Sequence, residues 1–342
     1  MSNLDSCGIE VSAKQLVIRL RRHGDLEPLR NFSNTAEGHE MLVRYLRQAG
    51  RVVRVCLESS GLYGLDLALA LSAATQIEVM VANPRAARHF AHALMKRSKN
   101  EPIDAGVLEE FAARMPFQAW KPPSAVALAL HALARRLREL VEILTAEKNR
   151  QHAAGLSQTI PTAVRRDLAR SLRAQQRAIE RLTAQARKLI DQDAEMRERF
   201  ALLDSIPGVG ETSAVQILGE LAVLAPDLDA RQWVTYAGLD PREYTSGSSV
   251  HKKTRISKTG NKNLRHSLFM PALVAVQHDP YLGAFYHHLL AKGKFKMQAL
   301  VAVMRKLLHA IHAMFKNHQP YDGSKLYPAM CAKEVLCAPV AS

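Results

Sequence analysis

The sequence predicts an α/β N-terminal part followed by a mainly helical part, so the predicted fold class is α/β plus α. Short apolar runs alternate with helix-like segments over residues 1–118, two long helical stripes fill residues 119–200, and turns separate further helices over residues 201–320. We therefore expect an α/β domain, a helical coiled-coil-like connector, a helical C-terminal domain and a tail at 321–342.

The composition favours a nucleic-acid partner. Lysines and arginines number 47 against 32 acidic residues, which gives the 342-residue chain a net charge of +15. This charge suits a polyanion, and nucleic acid is favoured over a membrane because no amphipathic or lipidation signal stands out. The sequence also lacks an apolar signal core and any apolar run of about 18 residues, so we expect a cytoplasmic protein that does not enter a membrane.

The four cysteines predict neither a metal site nor a disulfide framework. Cys7 and Cys56 stand beside apparent strands, and Cys331 and Cys337 lie near the C-terminus without metal-like spacing. We therefore expect reduced thiols.

Apolar runs in the first domain predict five strands, with helix-like segments between and after them. Their order, βββαβαβα, has a hairpin that leads into crossover units, as a ribonuclease H-like sheet requires. The predicted strands are Cys7–Val11, Gln15–Leu20, Arg30–Ser33, Val52–Leu57 and Ile77–Ala82. The predicted helices are Thr35–Gln48, Leu62–Ala73, Pro84–Lys96 and Pro102–Arg114.

Four acidic residues fall where a ribonuclease H-like fold places metal ligands. Glu10 lies in the first strand, and Glu58 directly follows the predicted buried strand Val52–Leu57. Glu101 and Asp104 share one face at the start of a helix. Converging carboxylates bind Mg²⁺ or Mn²⁺, which assist phosphoryl transfer. Acids at a helix start also cap it, so Glu101 and Asp104 have a structural alternative. Glu10 and Glu58 favour a metal site, because an acid beside an apolar strand needs a partner.

The connector carries two apolar stripes after the break at Pro122-Pro123. Each stripe has the spacing of a helix that packs on a partner helix, so the two are expected to pair with each other or with another subunit. The first stripe is Val126, Leu130, Leu133, Leu137, Leu140 and Leu144. The second is Val164, Leu168, Leu172, Ile179, Leu182, Ala186 and Leu189, interspersed with arginines.

Residues 203–215 predict a turn between two helices. Gly208 and Gly210 would expose backbone amides at the start of the next helix, an arrangement that binds phosphate. The same residues could instead form only a tight structural turn. Further helices are expected at Leu264–His278, Tyr281–Ala291 and Phe295–Phe315.

Small hydroxyl side chains, glycines and cations coincide over Thr245–Arg265, which predicts a loop that holds phosphate. Gly247 and Gly260 would let the backbone approach a ligand. The alternative is a solvated loop whose serines have no role. The possible nucleophiles are Ser246, Ser248 and Ser249. The cations expected to bind phosphate oxygens are Lys252, Lys253, Arg255, Lys258, Lys262 and Arg265.

Eight short motifs, spread over nearly the whole chain, carry a family resemblance. They are Gly8-Ile-Glu-Val-Ser12, Leu57-Glu-Ser-Ser-Gly-Leu-Tyr63, Val81-Ala-Asn-Pro84, Ser98-Lys-Asn-Glu-Pro-Ile-Asp-Ala105, Ile206-Pro-Gly-Val-Gly210, Ala237-Gly-Leu-Asp-Pro241, Ser246-Gly247 and Ile256-Ser-Lys-Thr-Gly-Asn261. With these motifs the chain resembles the DEDD transposases of the insertion-sequence 110 family (IS110/IS1111-like), a group that includes Piv-type DNA invertases.

The resemblance implies a RuvC-like domain that binds Mg²⁺ through Glu10, Glu58, Glu101 and Asp104. It also implies that Ser246 attacks DNA and becomes covalently linked to it. The implied partners are the DNA of the element ends and target, a bridge RNA from the element, and further copies of the chain in a dimer or tetramer. Glu10 and Glu101 stand where the family has aspartate.

These features support three functional hypotheses. The first is a transposase or site-specific DNA recombinase that uses the acidic site and the serine. The second is a RuvC-like metal-dependent nuclease in which Ser246 only contacts phosphate. The third is a catalytically degenerate copy that binds nucleic acid, which the two glutamates motivate.

Overall fold

The computed structural model describes residues 4–58, 61, 63–96, 98, 100–246 and 250–327, with the side chains of residues 244, 246 and 250–253 outside that description. The chain divides into two compact units, residues 1–122 and residues 123–342. Residues 119–122 of the predicted connector fall in the first unit and residues 123–200 in the second.

The first unit contains a six-stranded sheet. Its order is β3-β2-β1-β5-β6, with β4 also paired to β2. β1 is antiparallel to β2 and parallel to β5, and β5 is parallel to β6. The sheet confirms the predicted α/β class and adds a two-residue strand that the sequence did not indicate. The strands are β1 Asp5–Val11, β2 Gln15–Arg22, β3 Asp25–Leu26, β4 Arg30–Ser33, β5 Val53–Glu58 and β6 Ile77–Ala82.

Helices cover both faces of this sheet and enclose two apolar cores. Leu42 of the first helix and Leu67 of the second pack on one face. Ala87 of the third and Leu108 of the fourth pack on the other. Both faces of the central strands are therefore buried, which explains their near-continuous apolar sequence. The helices are α1 Ala36–Arg47, α2 Leu65–Ser72, α3 Pro84–Ala93 and α4 Glu101–Arg114.

The fourth helix lies unusually close to the first strand. A Cβ atom added at Gly8 of β1 would stand 2.0 Å from the carbonyl oxygen of Ala105 and 2.2 Å from the amide nitrogen of Glu109 in α4. Only glycine permits this backbone contact.

The second unit is mainly helical and contains one β-hairpin. Its helices are α5 Ala125–Leu156, α6 Thr162–Gln192, α7 Ala194–Asp204, α8 Glu211–Leu221, α9 Ala230–Ala237, α10 Lys262–Ser267, α11 Phe269–His278, α12 Pro280–Ala291 and α13 Lys296–Asn317, followed by a 3₁₀ turn at Gly323–Lys325. Its strands are β7 Pro241–Ser246 and β8 Val250–Ile256, which pair antiparallel. The prediction that Thr245–Arg265 is a loop is therefore wrong. Charged residues on β8 disguise the strand pattern.

The two apolar stripes of α5 and α6 are used within the chain. The two helices pack on each other, and Leu130 and Leu137 of α5 share one core with Ala186 and Ile190 of α6. That core continues through α8 and α13. Of the two alternatives left open by the sequence, pairing of the stripes with each other is the one observed.

Two thiols lie in the described part of the first unit. Cys7 and Cys56 are free and buried, and burial raises the pKa of the Cys56 thiol to about 12. A thiol with such a pKa is protonated and unreactive at neutral pH. Cys331 and Cys337 lie outside the described residues.

Among the helices of the described residues, none has the length and apolar character needed to cross a membrane.

We expect Gly8→Ala to destabilise the first unit by about 1–3 kcal/mol or more, because the added methyl group must separate β1 from the α4 backbone. Urea unfolding would measure the change. Gly106→Ala is the matched control, since an added Cβ there meets nothing within 4 Å, and it should stabilise α4 by a few tenths to about 1 kcal/mol. Equal effects of the two substitutions would contradict this account of the contact.

Candidate active site and nucleic-acid interface

Glu10 and Glu58 lie near the ends of two neighbouring parallel strands. β1 and β5 pair in register as far as Ile9 and Leu57, and each acid is the next residue of its strand. Both side chains are half-buried. Residues at equivalent positions of paired parallel strands point to the same face, so the two carboxylates leave the sheet on one face and at one edge.

The close packing of α4 brings its first turn towards the same place. Ser6 of β1 donates a hydrogen bond from its Oγ to Glu109 Oε1 at 2.6 Å, and Gly8 approaches Ala105. Residues 6, 8 and 10 share one face of β1. Two strand residues advance about 6.6 Å and four helical residues about 6.0 Å. Glu10 is therefore level with the start of α4, where Glu101 and Asp104 stand.

Glu58 and Asp104 line one cavity of about 510 Å³. Its other walls come mainly from α3, where Arg88 and His92 stand one helical turn apart, and from Lys96 beyond the end of that helix. Carboxylates and basic side chains thus face the same space. Such a cavity can hold a cation and a phosphate together, because the carboxylates bind the cation and the basic side chains bind the phosphate.

Glu101 is the first residue of α4, and its side chain is exposed. Asn100 caps the helix by accepting a hydrogen bond from the amide of Ile103 at 2.9 Å. Neither Glu10 nor Glu101 lines the cavity of Glu58 and Asp104.

The predicted Mg²⁺ or Mn²⁺ site can be tested against this geometry. Within the described residues, no group of three or more histidines, cysteines, aspartates or glutamates is close enough to hold a metal ion. The donors nevertheless suit a hard cation, because Glu58 and Asp104 share the cavity and Glu10 stands beside Glu58. The metal site therefore stays a prediction, with Glu58 and Asp104 as its best placed ligands.

Glu109 shows how a structural acid differs from these residues. It is 1% exposed and binds Arg21 in a two-pronged ion pair, with Nε–Oε1 at 2.8 Å and Nη2–Oε2 at 3.1 Å. This hydrogen bond raises the pKa of Arg21. Glu109 fixes α4 against β1 and β2 and is as fully buried as Asp5, whereas Glu10 and Glu58 are half-buried.

Sequence reasoning did not single out the basic wall of the cavity. Arg88, His92 and Lys96 follow one another at intervals of four residues on and beyond α3. That spacing places Arg88 and His92 on one face of α3, and the basic residues at intervals of four were visible in the sequence.

Ser246 is the last residue of β7. Its backbone pairs with that of Val250 across the hairpin, and its side chain lies outside the described residues. Gly247, Ser248 and Ser249 also lie outside them. The predicted nucleophile is thus placed where β7 enters the hairpin turn.

The hairpin carries two arginines at directly paired positions of its strands. Arg242 of β7 stands directly across from Arg255 of β8, and both side chains are exposed. Like charges at such positions repel each other, which a bound phosphate would relieve. Arg242 was not among the predicted phosphate ligands. The side chains of Lys252 and Lys253, which were, lie outside the described residues.

The base of the hairpin is closed by Ser257. Its Oγ donates to Asp240 Oδ1 at 2.6 Å, and its amide donates to the Asp240 carbonyl oxygen at 2.8 Å. Lys258 and Lys262, which follow, are exposed. Arg265 is half-buried and donates from Nη1 to the carbonyl oxygen of Ala237 at 2.7 Å. Burial lowers the pKa of Arg265, so part of its guanidinium supports the fold.

A buried carboxylate anchors the segment that leaves the hairpin. Glu220 of α8 is 2% exposed and accepts a hydrogen bond from Asn261 Nδ2 at 2.6 Å. Arg135 of α5 donates to its other oxygen at 3.3 Å. Asn261 also donates to the hydroxyl of Tyr236 at 2.9 Å, whose pKa is raised mainly by burial. Sequence reasoning missed Glu220, which an acid inside the apolar run of α8 could have signalled.

The predicted turn with Gly208 and Gly210 joins α7 to α8. Gly210 is the residue before α8, and an added Cβ there would meet nothing within 4 Å. Gly208 has a φ of +91°, and a Cβ there would lie 2.9 Å from the carbonyl oxygen of Pro271. Close packing explains Gly208 as a structural residue, while the amides after Gly210 remain accessible as a phosphate-binding candidate.

Comparisons with known proteins match the chain to transposase families. The model of the transposase IS116/IS110/IS902 family matches residues 200–287, and a DEDD transposase model of the IS110 type matches residues 7–161. The pilin gene-inverting protein of Moraxella bovis is 30% identical over 296 residues, which are 85% of this chain and 89% of that protein. The insertion element IS110 uncharacterized 43.6 kDa protein of Streptomyces coelicolor is 30% identical over 122 residues, 36% of this chain and 30% of that protein.

We expect Asn261→Asp to destabilise the second unit by about 1–3 kcal/mol, because it removes a donor and places a second carboxylate against buried Glu220. The double variant Asn261→Asp/Glu220→Gln restores one amide and one carboxylate with their positions exchanged. Urea unfolding of both proteins would measure the effect. Failure of Glu220→Gln to recover stability in the Asn261→Asp background would show that the pair does not support the hairpin.

Proposed function

The chain belongs to the IS110 family of DEDD transposases, and from this membership we propose that it is a DNA recombinase that joins DNA strands through a serine-linked intermediate. The observation that carries the proposal is the cavity that Glu58 and Asp104 share with the basic side chains of Arg88, His92 and Lys96. Its groups suit a phosphodiester and a divalent cation. The cavity belongs to a unit that we propose to be RuvC-like.

The proposed acidic site consists of Glu10, Glu58, Glu101 and Asp104. When bound, Mg²⁺ or Mn²⁺ would supply Lewis-acid activation of the phosphate. Glu58 and Asp104 would hold the cation from two walls of the cavity, and Glu10 would reach it from the neighbouring strand. Arg88 and Lys96 would orient the phosphate by charge.

In the proposed reaction the Ser246 hydroxyl loses its proton and its Oγ attacks a DNA phosphorus atom. A bond forms between Oγ and phosphorus, and the bond from phosphorus to one DNA oxygen breaks. That oxygen takes up a proton and leaves as a hydroxyl. Attack by a hydroxyl of another DNA strand then releases the serine and joins the new strand. Arg242 and Arg255 would stabilise the developing phosphate charge from the same hairpin.

The proposed function also implies binding partners. DNA is the substrate, and the net charge of +15 also suits a bridge RNA and assembly of several copies on nucleic acid. The apolar seams of α5 and α6 give no support to oligomerisation through those seams, since they pack on each other within the chain.

We expect Ser246→Ala to lose recombination and the covalent DNA adduct while keeping DNA affinity, because it removes only the attacking oxygen. Ser248→Ala and Ser249→Ala are the matched controls and should keep the adduct. Denaturing gels would detect the DNA-linked species, and a recombination assay between element ends would measure the reaction. A Ser246→Ala protein that recombines DNA would exclude the serine mechanism, and DNA cleavage without any adduct would favour the water-using nuclease.

We expect Mg²⁺ to raise the melting temperature of the wild-type protein, because bound cation stabilises the folded state by about 2.7 kcal/mol at a concentration of 100 times its Kd. Glu58→Gln and Asp104→Asn should lose most of this response. Glu78→Gln is the control, since Glu78 pairs with Arg54 at 3.0 Å on the neighbouring strand. An unchanged Mg²⁺ response in Glu58→Gln and Asp104→Asn would exclude these ligands.

The hypothesis of a degenerate copy has its own test. Recombination activity that appears only after Glu10→Asp and Glu101→Asp would identify such a copy.

A further inference from the structure

Helix α6 carries a continuous stripe of exposed arginines. Successive members are four, three, four and four residues apart, so at about 100° per residue they fall within a sector of about 80° and extend over about 22 Å of helix. All five side chains are exposed. They are Arg166, Arg170, Arg173, Arg177 and Arg181.

The orientation of this arginine stripe is fixed by packing on the other side of the helix. Thr183, Ala186 and Ile190 of α6 are buried, and they lie about 120°, 180° and 140° around the helix from the centre of the stripe. Ala186 and Ile190 join the core that contains Leu130 and Leu137 of α5. The arginines therefore face away from that core.

Several arginines elsewhere on α5 and α6 form ion pairs with acids of the same helix, whereas those of the stripe do not. Arg136 pairs with Glu139 at 2.8 Å, and Arg187 pairs with Asp191 at 3.2 Å. Across the described residues, no ion pair involves an arginine of the stripe. Arg173 donates only to the carbonyl oxygen of Ala169 in its own helix, at 3.2 Å.

Such a row of cations is unfavourable by itself, because like charges at a spacing of three or four residues destabilise a helix. A linear polyanion along the helix would reverse that effect. A second copy of the same stripe cannot be the partner, since the two would repel each other. Phosphates of a duplex, at about one charge per 1.7 Å of B-form DNA axis, outnumber the guanidinium groups over the length of the stripe.

We propose that the α6 arginine stripe binds the phosphate backbone of duplex DNA outside the reaction centre. The choice of DNA over RNA rests on the proposed recombinase function, whereas the binding of a duplex backbone rests on the stripe itself. The contact is independent of sequence, because guanidinium groups on phosphates read no bases. It would hold DNA that flanks the reacting phosphate.

The test compares two double variants that remove the same charge. Arg170→Gln/Arg177→Gln removes two members of the stripe. Arg136→Gln/Arg150→Gln removes two arginines of α5 that pair with Glu139 and with Glu147. Fluorescence anisotropy would measure the affinity of each full-length protein for a DNA duplex of about 20 base pairs, two helical turns, between about 50 and 200 mM salt. A second duplex of unrelated sequence and an RNA duplex complete the set.

We expect the stripe variant to lower the slope of log affinity against log salt concentration by about 2, or about 1 for each arginine. Both DNA sequences should weaken equally, and the α5 variant should keep the wild-type slope. Equal slopes for the two variants would overturn the proposal, as would a loss confined to RNA. Because binding is measured without chemistry, failure of the serine mechanism would leave this result unchanged, and failure here would leave that mechanism standing.

Discussion

Contact between Gly8 and the backbone of α4 is the constraint on which the first unit depends. The helix can approach β1 this closely only where the strand has no side chain. Glu109 then reaches Ser6 and Arg21, and its buried charge is satisfied by both. A carboxylate that is 1% exposed is strongly unfavourable without such partners. The ion pair and the glycine together set the height of α4 along the strand, and that height decides where Asp104 stands relative to Glu10.

The second unit solves a similar problem with Glu220. The hairpin that carries Ser246 is a two-stranded ribbon, which has little stability of its own. Its exit is held by Asn261, which bonds to Glu220 and Tyr236 and also caps α10 by accepting from the amides of Asn263 and Leu264. Contacts to the buried side chain of Glu220 thus add stability that the two-stranded ribbon lacks. Asn261 and Arg135 both bond to Glu220, which ties the exit of the hairpin to α8 and α5.

Much of the fold could be predicted from the sequence because its signals are local. The strands Ile77–Ala82 and Arg30–Ser33 were predicted with the bounds that the structure has, and an apolar run between turn residues marks the first of them. The pairing of β7 with β8 was not predicted, because His251, Lys252, Lys253 and Arg255 conceal the alternation of β8 and only glycine and serine separate the two strands in the sequence. Glu220 and Arg88 were missed for another reason. Their spacing and residue type are visible in the sequence, but their roles become clear only from groups distant in sequence: Asn261, which bonds to Glu220, and Glu58, which lines the same cavity as Arg88.

The packing of α4 on β1 restricts where the carboxylate of Glu10 can lie. Glutamate is longer than aspartate by one methylene, roughly 1.5 Å of reach. A strand could compensate by moving away from the helix, but the Gly8 contact and the Ser6–Glu109 hydrogen bond hold β1 against α4 two and four residues before Glu10. The extra length must therefore be taken up by the rotamer of Glu10 itself. Glu101 is in a different position, because it is exposed at the first residue of α4 and can turn towards solvent. Of the two glutamates, Glu10 is thus the one whose carboxylate position the fold restricts, and Glu58 and Asp104 form the part of the proposed acidic site that does not depend on either glutamate.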